Sequence, residues 1–143
     1  MSQQLIDAAK ASIVGYNNKD WDAVKRSVGA NFVYDEVATH RTVRGIDDVL
    51  AVWQGWAATF PDSKGTFDVA HVAGNTVVLE GAWRGTHTGA LKTPGGDIPA
   101  TGRTIDIRAC VIVDVADGKA QRFRQYFDMA TMLAQLGVGA TAV

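Results

Sequence analysis

The hydrophobic period changes once along the chain, at Pro61, and this limits the fold more than any other feature. Before Pro61, apolar residues recur at helical spacing; after it they alternate. Leu5, Ile6, Ala9, Ile13 and Tyr16 mark an amphipathic helix over roughly residues 3–17. Asn17-Asn18-Lys19-Asp20 breaks it. Asp20 is placed to cap a short second helix with Trp21, Val24 and Val28 inward, ended by Gly29-Ala30-Asn31. Phe32-Val33-Tyr34 opens an extended segment that runs into Asp35-Glu36, and a loop is expected from there to Gly45. Ile46, Val49, Leu50, Trp53, Trp56, Ala57 and Phe60 mark the longest helix, which Pro61 stops. Residues 66–73, 76–88, 103–115 and 119–127 then read as strands. Gly74-Asn75 and Asp117-Gly118 are tight-turn signals between them. Residues 89–102, with four glycines and two prolines, read as a loop or irregular hairpin. A short helix over 129–136 closes the pattern at Gly137, and residues 138–143 are expected to be loose.

Helices followed by a meander of long strands predict an α+β fold, one domain over residues 1–143. The long strands are expected to curl, giving a cone-shaped antiparallel sheet packed on the N-terminal helices around an internal pocket. Composition excludes several functions. Fourteen basic residues against fifteen acidic, net charge −1, give no nucleic-acid footprint. The single cysteine, Cys110, precludes an internal disulfide or a cysteine-cluster zinc site. His40, His71 and His87 lack metal-ligand spacing, so no metal is expected. Gly95-Gly96 has no following Lys-Ser/Thr, and no G-x-S-x-G elbow occurs. Met1-Ser2-Gln3-Gln4 does not start like a signal peptide, and no apolar run could span a bilayer. A cytoplasmic, cofactor-free protein with no membrane contact is expected.

Strand alternation divides the side chains into two faces. One carries Leu79, Gly81, Trp83, Gly85, His87, Ile105, Ile107, Ala109, Val111, Phe123, Gln125 and Phe127, and is expected to face the helices. The other carries Glu80, Arg84, Asp106, Arg108, Arg122, Arg124 and Tyr126. That face is either solvated or the contact of a homodimer. Gly81, Gly85 and Ala109 are expected to leave space that Trp53, Trp56, Trp83, Phe123 and Phe127 would line; a fully packed core is the alternative.

Two polar groups interrupt the inner face. His87 is either a structural histidine or a functional one at the pocket mouth. Gln125 either holds a ligand oxygen or bonds only backbone. Among carboxylates, alternation puts one of Asp35 and Glu36 inside without saying which. Asp128 is either the N-cap of the last helix or a base whose pKa desolvation raises.

Arg84-Gly85-Thr86-His87-Thr88-Gly89, Pro99-Ala100-Thr101-Gly102-Arg103, Asp117-Gly118-Lys119, and Asp128 followed by Gln135-Leu136-Gly137 together resemble the SnoaL-like polyketide cyclases, also called ester cyclases. Phe60-Pro61-Asp62 fits as well. The family lies in the nuclear-transport-factor-two-like superfamily with ketosteroid isomerase and limonene epoxide hydrolase. The resemblance implies a cone-shaped, usually dimeric fold with a cofactor-free pocket. It also implies ring closure by intramolecular aldol condensation, with a last-strand carboxylate as acid/base. Only Asp128 can supply that carboxylate, because position 125 is Gln. Gln125 stands where limonene epoxide hydrolase has an aspartate, and Gly81 and Trp83 replace its Arg and Asp, so its water-activating triad is missing. Against ketosteroid isomerase, Asp35 or Glu36 falls near the base, Ser12 near the oxyanion tyrosine, and Tyr16 one turn away.

Two function classes follow. One is a cyclase or isomerase that deprotonates a carbon next to a carbonyl, with Asp128, Asp35 or Glu36 as base and His87, Gln125 or Tyr16 as donor to the enolate oxygen. Tyr16, Trp53, Trp56, Trp83, Ile107, Gln125 and Phe127 would bind a small hydrophobic substrate. The other is a non-catalytic lipophilic binding protein of the same fold; an epoxide hydrolase with an altered site is a further variant.

Overall fold

The computed structural model describes residues 2–138. Its elements are α1 (Ser2–Asn17), α2 (Trp21–Arg26), β1 (Val28–Glu36), a 3-10 turn (Val37–Thr39), β2 (Arg41–Arg44), α3 (Ile46–Thr59), β3 (Lys64–Ala73), β4 (Thr76–Thr86), β5 (Thr104–Ala116), β6 (Lys119–Phe127) and α4 (Met129–Leu136). The loose tail expected over 138–143 lies, past Val138, outside the described residues. Among the described residues, no helix is long and apolar enough to cross a membrane.

The strands form one open sheet in the order β2-β1-β6-β5-β4-β3. The meander β3 to β6 is antiparallel, as its alternation predicts, but β1 runs parallel to β6. The sheet is therefore mixed rather than wholly antiparallel. The physical reason is the crossover: β1 enters at the far edge of the meander, and α3 carries the chain across the sheet face to β3. Two further differences lie near β1. Residues 28–31, expected to end a helix, begin the strand, and the expected loop contains β2, paired with β1 from Val33↔Arg44 to Glu36↔Arg41. Ser27 ends α2 instead, with its amide bonded to the Ala23 and Val24 carbonyls.

Both strand faces are disposed as the alternation predicts. Leu79, Val111, Val113 and Phe123 are buried beneath α1 and α3, while Arg84, Arg108 and Tyr126 lie exposed on the other side. α1 packs over β3 to β6 and α3 over β1 and β2, so the two helices cover different halves of one sheet face. Asp117 and Gly118 both have positive φ (54° and 72°), the twist a two-residue hairpin requires. Beyond Phe127, β6 no longer covers β5. There α4 folds back, and the Gln135 amide caps the exposed edge, accepting from the Asp106 N–H (2.8 Å) and donating to its carbonyl (2.9 Å).

Gly81 and Gly85 are not themselves the source of open space on the inner face. β3 bulges between Thr66 and Val69, and Gly81 lies opposite the bulge. A Cβ there would overlap the Thr66 carbonyl oxygen and press on Phe67. At Gly85 it would meet Ser63 and Phe60 at 3.0–3.1 Å. These glycines let neighbouring backbone approach the sheet, so their small size is filled by chain and not by void. Gly81→Ala is expected to destabilise the protein by about 1–3 kcal/mol, the range for overpacking an interior. Gly55→Ala, on the exposed face of α3 with nothing within 4 Å of the added methyl, should stabilise by about 0.4–1 kcal/mol. Urea unfolding of the two variants checks the pair.

Candidate functional site

A cavity of about 70 Å³ lies between the inner sheet face, α1, α3 and α4. Its wall is almost wholly carbon: Ile13, Trp53, Trp56, Phe60, Trp83, Ile105, Ile107, Phe123, Phe127 and Met132. Common ligand sites enclose roughly 300–1,000 Å³, so a multi-ring molecule must displace part of this wall. Met132, unbranched and on the short α4, is the most adaptable side chain in it. Polar residues enter at two ends. Ser12, Tyr16 and Ser63 stand at the α1 end; Tyr34 and Gln125 stand on the sheet.

The sheet end is built by the parallel β1–β6 pairing, which sets Tyr34 beside Phe123 and Glu36 beside Gln125. Residues i and i+2 share a strand face, so Tyr34 and Glu36 both point inward. Tyr34 Oη donates to Glu36 Oε2 at 2.6 Å. Gln125 Nε2 donates to Tyr34 Oη (2.9 Å), and Trp83 Nε1 donates to Gln125 Oε1 (2.7 Å). Glu36 is fully buried and also accepts from Trp56 Nε1 (2.8 Å), Thr39 Oγ1 (2.6 Å) and Arg41 Nε (2.8 Å). Burial, then the Glu36 charge, drive the Tyr34 phenol well above its ordinary pKa.

At the other end, Tyr16 Oη and Ser63 Oγ share a hydrogen bond of 2.6 Å, and burial raises the Tyr16 pKa. Ser63 closes the turn between α3 and β3, its amide bonded to the Phe60 carbonyl, and its segment is gripped from the α1–α2 corner. Asn17 bonds both the N–H and the carbonyl of Gly65 at 2.8 Å, and Lys19 Nζ donates to the Ser63 carbonyl.

All the residues expected to bind ligand, Tyr16, Trp53, Trp56, Trp83, Ile107, Gln125 and Phe127, stand in the cavity wall. None of the four expected to be catalytic does. Asp128 is exposed and caps α4, accepting from Thr131 N (3.0 Å) and Oγ1 (2.6 Å). Those bonds lower its pKa, the opposite of what a desolvated base needs. The backbone turns into α4 before Asp128 can face inward. Asp35 points to the outer face, paired with Arg122 (2.6 Å) and Thr42 (2.8 Å), and these partners outweigh burial to hold its pKa down. Glu36 is the inward carboxylate of the pair, but it lies behind Tyr34. His87 is wholly buried outside the cavity, with its ring 5.4 Å from that of Phe60. Thr101 N donates to His87 Nδ1 at 3.2 Å, which leaves the proton on Nε2. It pins the 89–102 loop to β4. Nothing in the residues alone singles out Tyr34, Ser12 or Ser63. Tyr34 read as part of an apolar strand start, and no local motif marks either serine. Among the described residues no three His, Cys, Asp or Glu side chains converge as metal ligands.

A profile of the SnoaL-like polyketide cyclases matches residues 6–136. The chain belongs to that family. Among solved structures, this SnoaL-like protein is similar to IdmH, a proposed polyketide cyclase from Streptomyces antibioticus, at 26% identity and TM-score 0.79, covering 94% of this chain and 99% of that one. A proposed polyketide cyclase from Xanthomonas campestris pv. campestris superposes with TM-score 0.81 at 20% identity, covering 94% and 97%. A protein of ketosteroid isomerase-like fold from Catenulispora acidiphila gives TM-score 0.79 at 18% identity, covering 94% and 95%. The latter two show the fold. No match is found among curated proteins.

The buried imidazole makes a pH prediction for this SnoaL-like domain. Burial lowers the His87 pKa, against a smaller opposing pull from the Gly89 backbone. A base with a depressed folded pKa binds fewer protons folded than unfolded. Stability is therefore complete above the ordinary histidine pKa of about 6.5 and lost as pH falls below it. The thermal midpoint should decline from pH 7 to 5, before the carboxylates titrate. His87→Gln should flatten that decline; an unchanged slope would assign the titration to another group.

Proposed function

We propose that the cavity is the active site of a cofactor-independent cyclase or isomerase acting on a neutral, enolisable, polyketide-like carbonyl compound. The observation that carries this is the Tyr34–Glu36 pair: a phenol in the wall of an apolar cavity, bonded at 2.6 Å to a fully buried carboxylate. Because its pKa is raised, Tyr34 does not act as a standing phenolate. It acts as a relay. A proton on the carbon next to the substrate carbonyl passes to Tyr34 Oη as the phenol's own proton passes to Glu36 Oε2. The electron pair left on carbon moves onto the carbonyl oxygen, giving an enolate. Gln125 has one Nε2 hydrogen on Tyr34 and its Oε1 on Trp83, which leaves the second Nε2 hydrogen for that oxygen.

In ring closure the enolate carbon attacks a second carbonyl carbon of the same molecule, forming the C–C bond. The resulting alkoxide takes a proton back through Tyr34 from Glu36, so the cycle is redox-neutral. Trp53, Trp56, Trp83 and Phe127 hold the chain folded, and such proximity supplies much of the rate. Family membership supports this chemistry. The outer face, with Arg108, Arg122, Arg124 and Tyr126, is the surface to which we assign a homodimer contact, and we place the protein in the cytoplasm.

A second reading, a non-catalytic binding protein, is favoured by the four hydrogen bonds already engaging Glu36. Deuterium exchange at the acidic carbon of 2-tetralone in D₂O, followed by proton NMR, separates the two. The enzyme reading expects exchange above the buffer rate. Tyr34→Phe and Glu36→Gln should each lower it by about 10²–10⁴-fold, the usual worth of a general acid/base. The two losses should not add, because the residues act as one relay. The binding reading expects 2-tetralone to bind the wild-type protein without exchange.

A further inference from the structure

Ser12 is the one cavity-wall residue whose polar side chain is wholly buried and without a hydrogen-bond partner among the described residues. A buried hydroxyl left unpaired is costly, and serine is a poorer helix residue than alanine. One turn along the same helix face, Tyr16 reaches the same cavity and shares its hydrogen bond with Ser63. Two hydroxyls joined by one hydrogen bond use one proton and keep the other. Ser12 and this pair therefore offer two uncommitted O–H donors.

We propose that Ser12, Tyr16 and Ser63 form a second oxygen-binding subsite, which takes a neutral carbonyl, ether or hydroxyl oxygen of the ligand. This rests on the reading of the cavity as a small-molecule site, and it adds a requirement: the ligand carries two oxygen functions, one at each end. The Trp83 indole lies between the ends. Its Nε1 donates to Gln125, and its ring meets the Tyr16 ring edge-on at 5.3 Å between centroids. The required oxygens are thus about one indole apart. The subsite is neutral because no charged residue lines the cavity. Lys19 stands behind the subsite and outside the cavity wall, its ammonium taken up by the Ser63 carbonyl and the Tyr16 ring face. A carboxylate or phosphate would find no cation in the cavity wall. The grip of Asn17 and Lys19 on the Ser63–Gly65 segment holds the pair in place before a ligand arrives.

Two probes test it: 2-tetralone, with one oxygen, and 6-hydroxy-2-tetralone, with a second across the bicycle. Quenching of tryptophan fluorescence gives both affinities. The wild-type protein should bind the hydroxylated ketone about 3–10-fold more tightly, the worth of one good hydrogen bond. In Ser12→Ala, and in Tyr16→Phe, that ratio should fall towards one. The thermal midpoint of Ser12→Ala should stay level or rise. If both probes bind the wild-type protein equally, or if the ratio survives in the variants, the subsite is overturned while the cavity reading stands. A drop in the Ser12→Ala midpoint would reveal a structural partner and overturn it too. If neither probe binds, the cavity reading falls and the subsite with it.

Discussion

The buried Glu36 carboxylate is the point on which the inner architecture depends. An ion of this size taken out of water costs several kcal/mol even after relaxation. Here it is offset by four hydrogen bonds, one of them from the Arg41 guanidinium. The donors come from β1, the 3-10 turn, β2 and α3, so one carboxylate ties α3 to the β1–β2 edge of the sheet. Through Tyr34 the same carboxylate reaches Gln125 on β6, and through Gln125 it reaches Trp83 on β4. One charge thus fixes the join between the first strand and the last, and sets the rotamers of three residues in the cavity wall. The parallel β1–β6 pairing, the one exception to an otherwise antiparallel sheet, is what puts these groups in reach.

This gives the cavity a clear division of labour. Its rings provide shape and exclude water, while its few polar groups lie at the ends and are held from behind. Tyr34 and Gln125 are held by Glu36 and Trp83; Ser63 is held through its segment by Asn17 and Lys19. A dry wall makes each polar group count for more than it would in water. With a cavity of only about 70 Å³, α4 is the part of the wall best able to yield. It is anchored by the Asp128 cap and the Gln135 amide, and it presents Met132 to the interior.

Much of the fold was legible in the sequence because it follows from period. The switch at Pro61 separates helices from meander, and alternation in β4, β5 and β6 sorts inner from outer side chains correctly down to Gln125. What was not legible is set by long-range pairing. β2 is four residues with no apolar alternation, and Val28 to Asn31 look like a helix end until β6 is placed beside them. Asp35 and Glu36 are indistinguishable by type; only the pairing register turns one towards Arg122 and the other under Tyr34. Gly81 and Gly85 suggested a void, but a glycine opposite a bulge marks an approach of backbone. Asp128 could be read as cap or base, and its geometry is that of the cap.

The most direct measurement is a titration of ¹⁵N-labelled protein with 2-tetralone, following the indole N–H signals of its four tryptophans. Trp53, Trp56 and Trp83 line the cavity and Trp21 does not. Trp56 donates to Glu36 and Trp83 to Gln125, so their N–H groups report on the network itself. The account predicts that the Trp56 and Trp83 signals move with ligand while Trp21 stays in place. Movement of Trp21 alone, or of none of the four at saturating ligand, would contradict it.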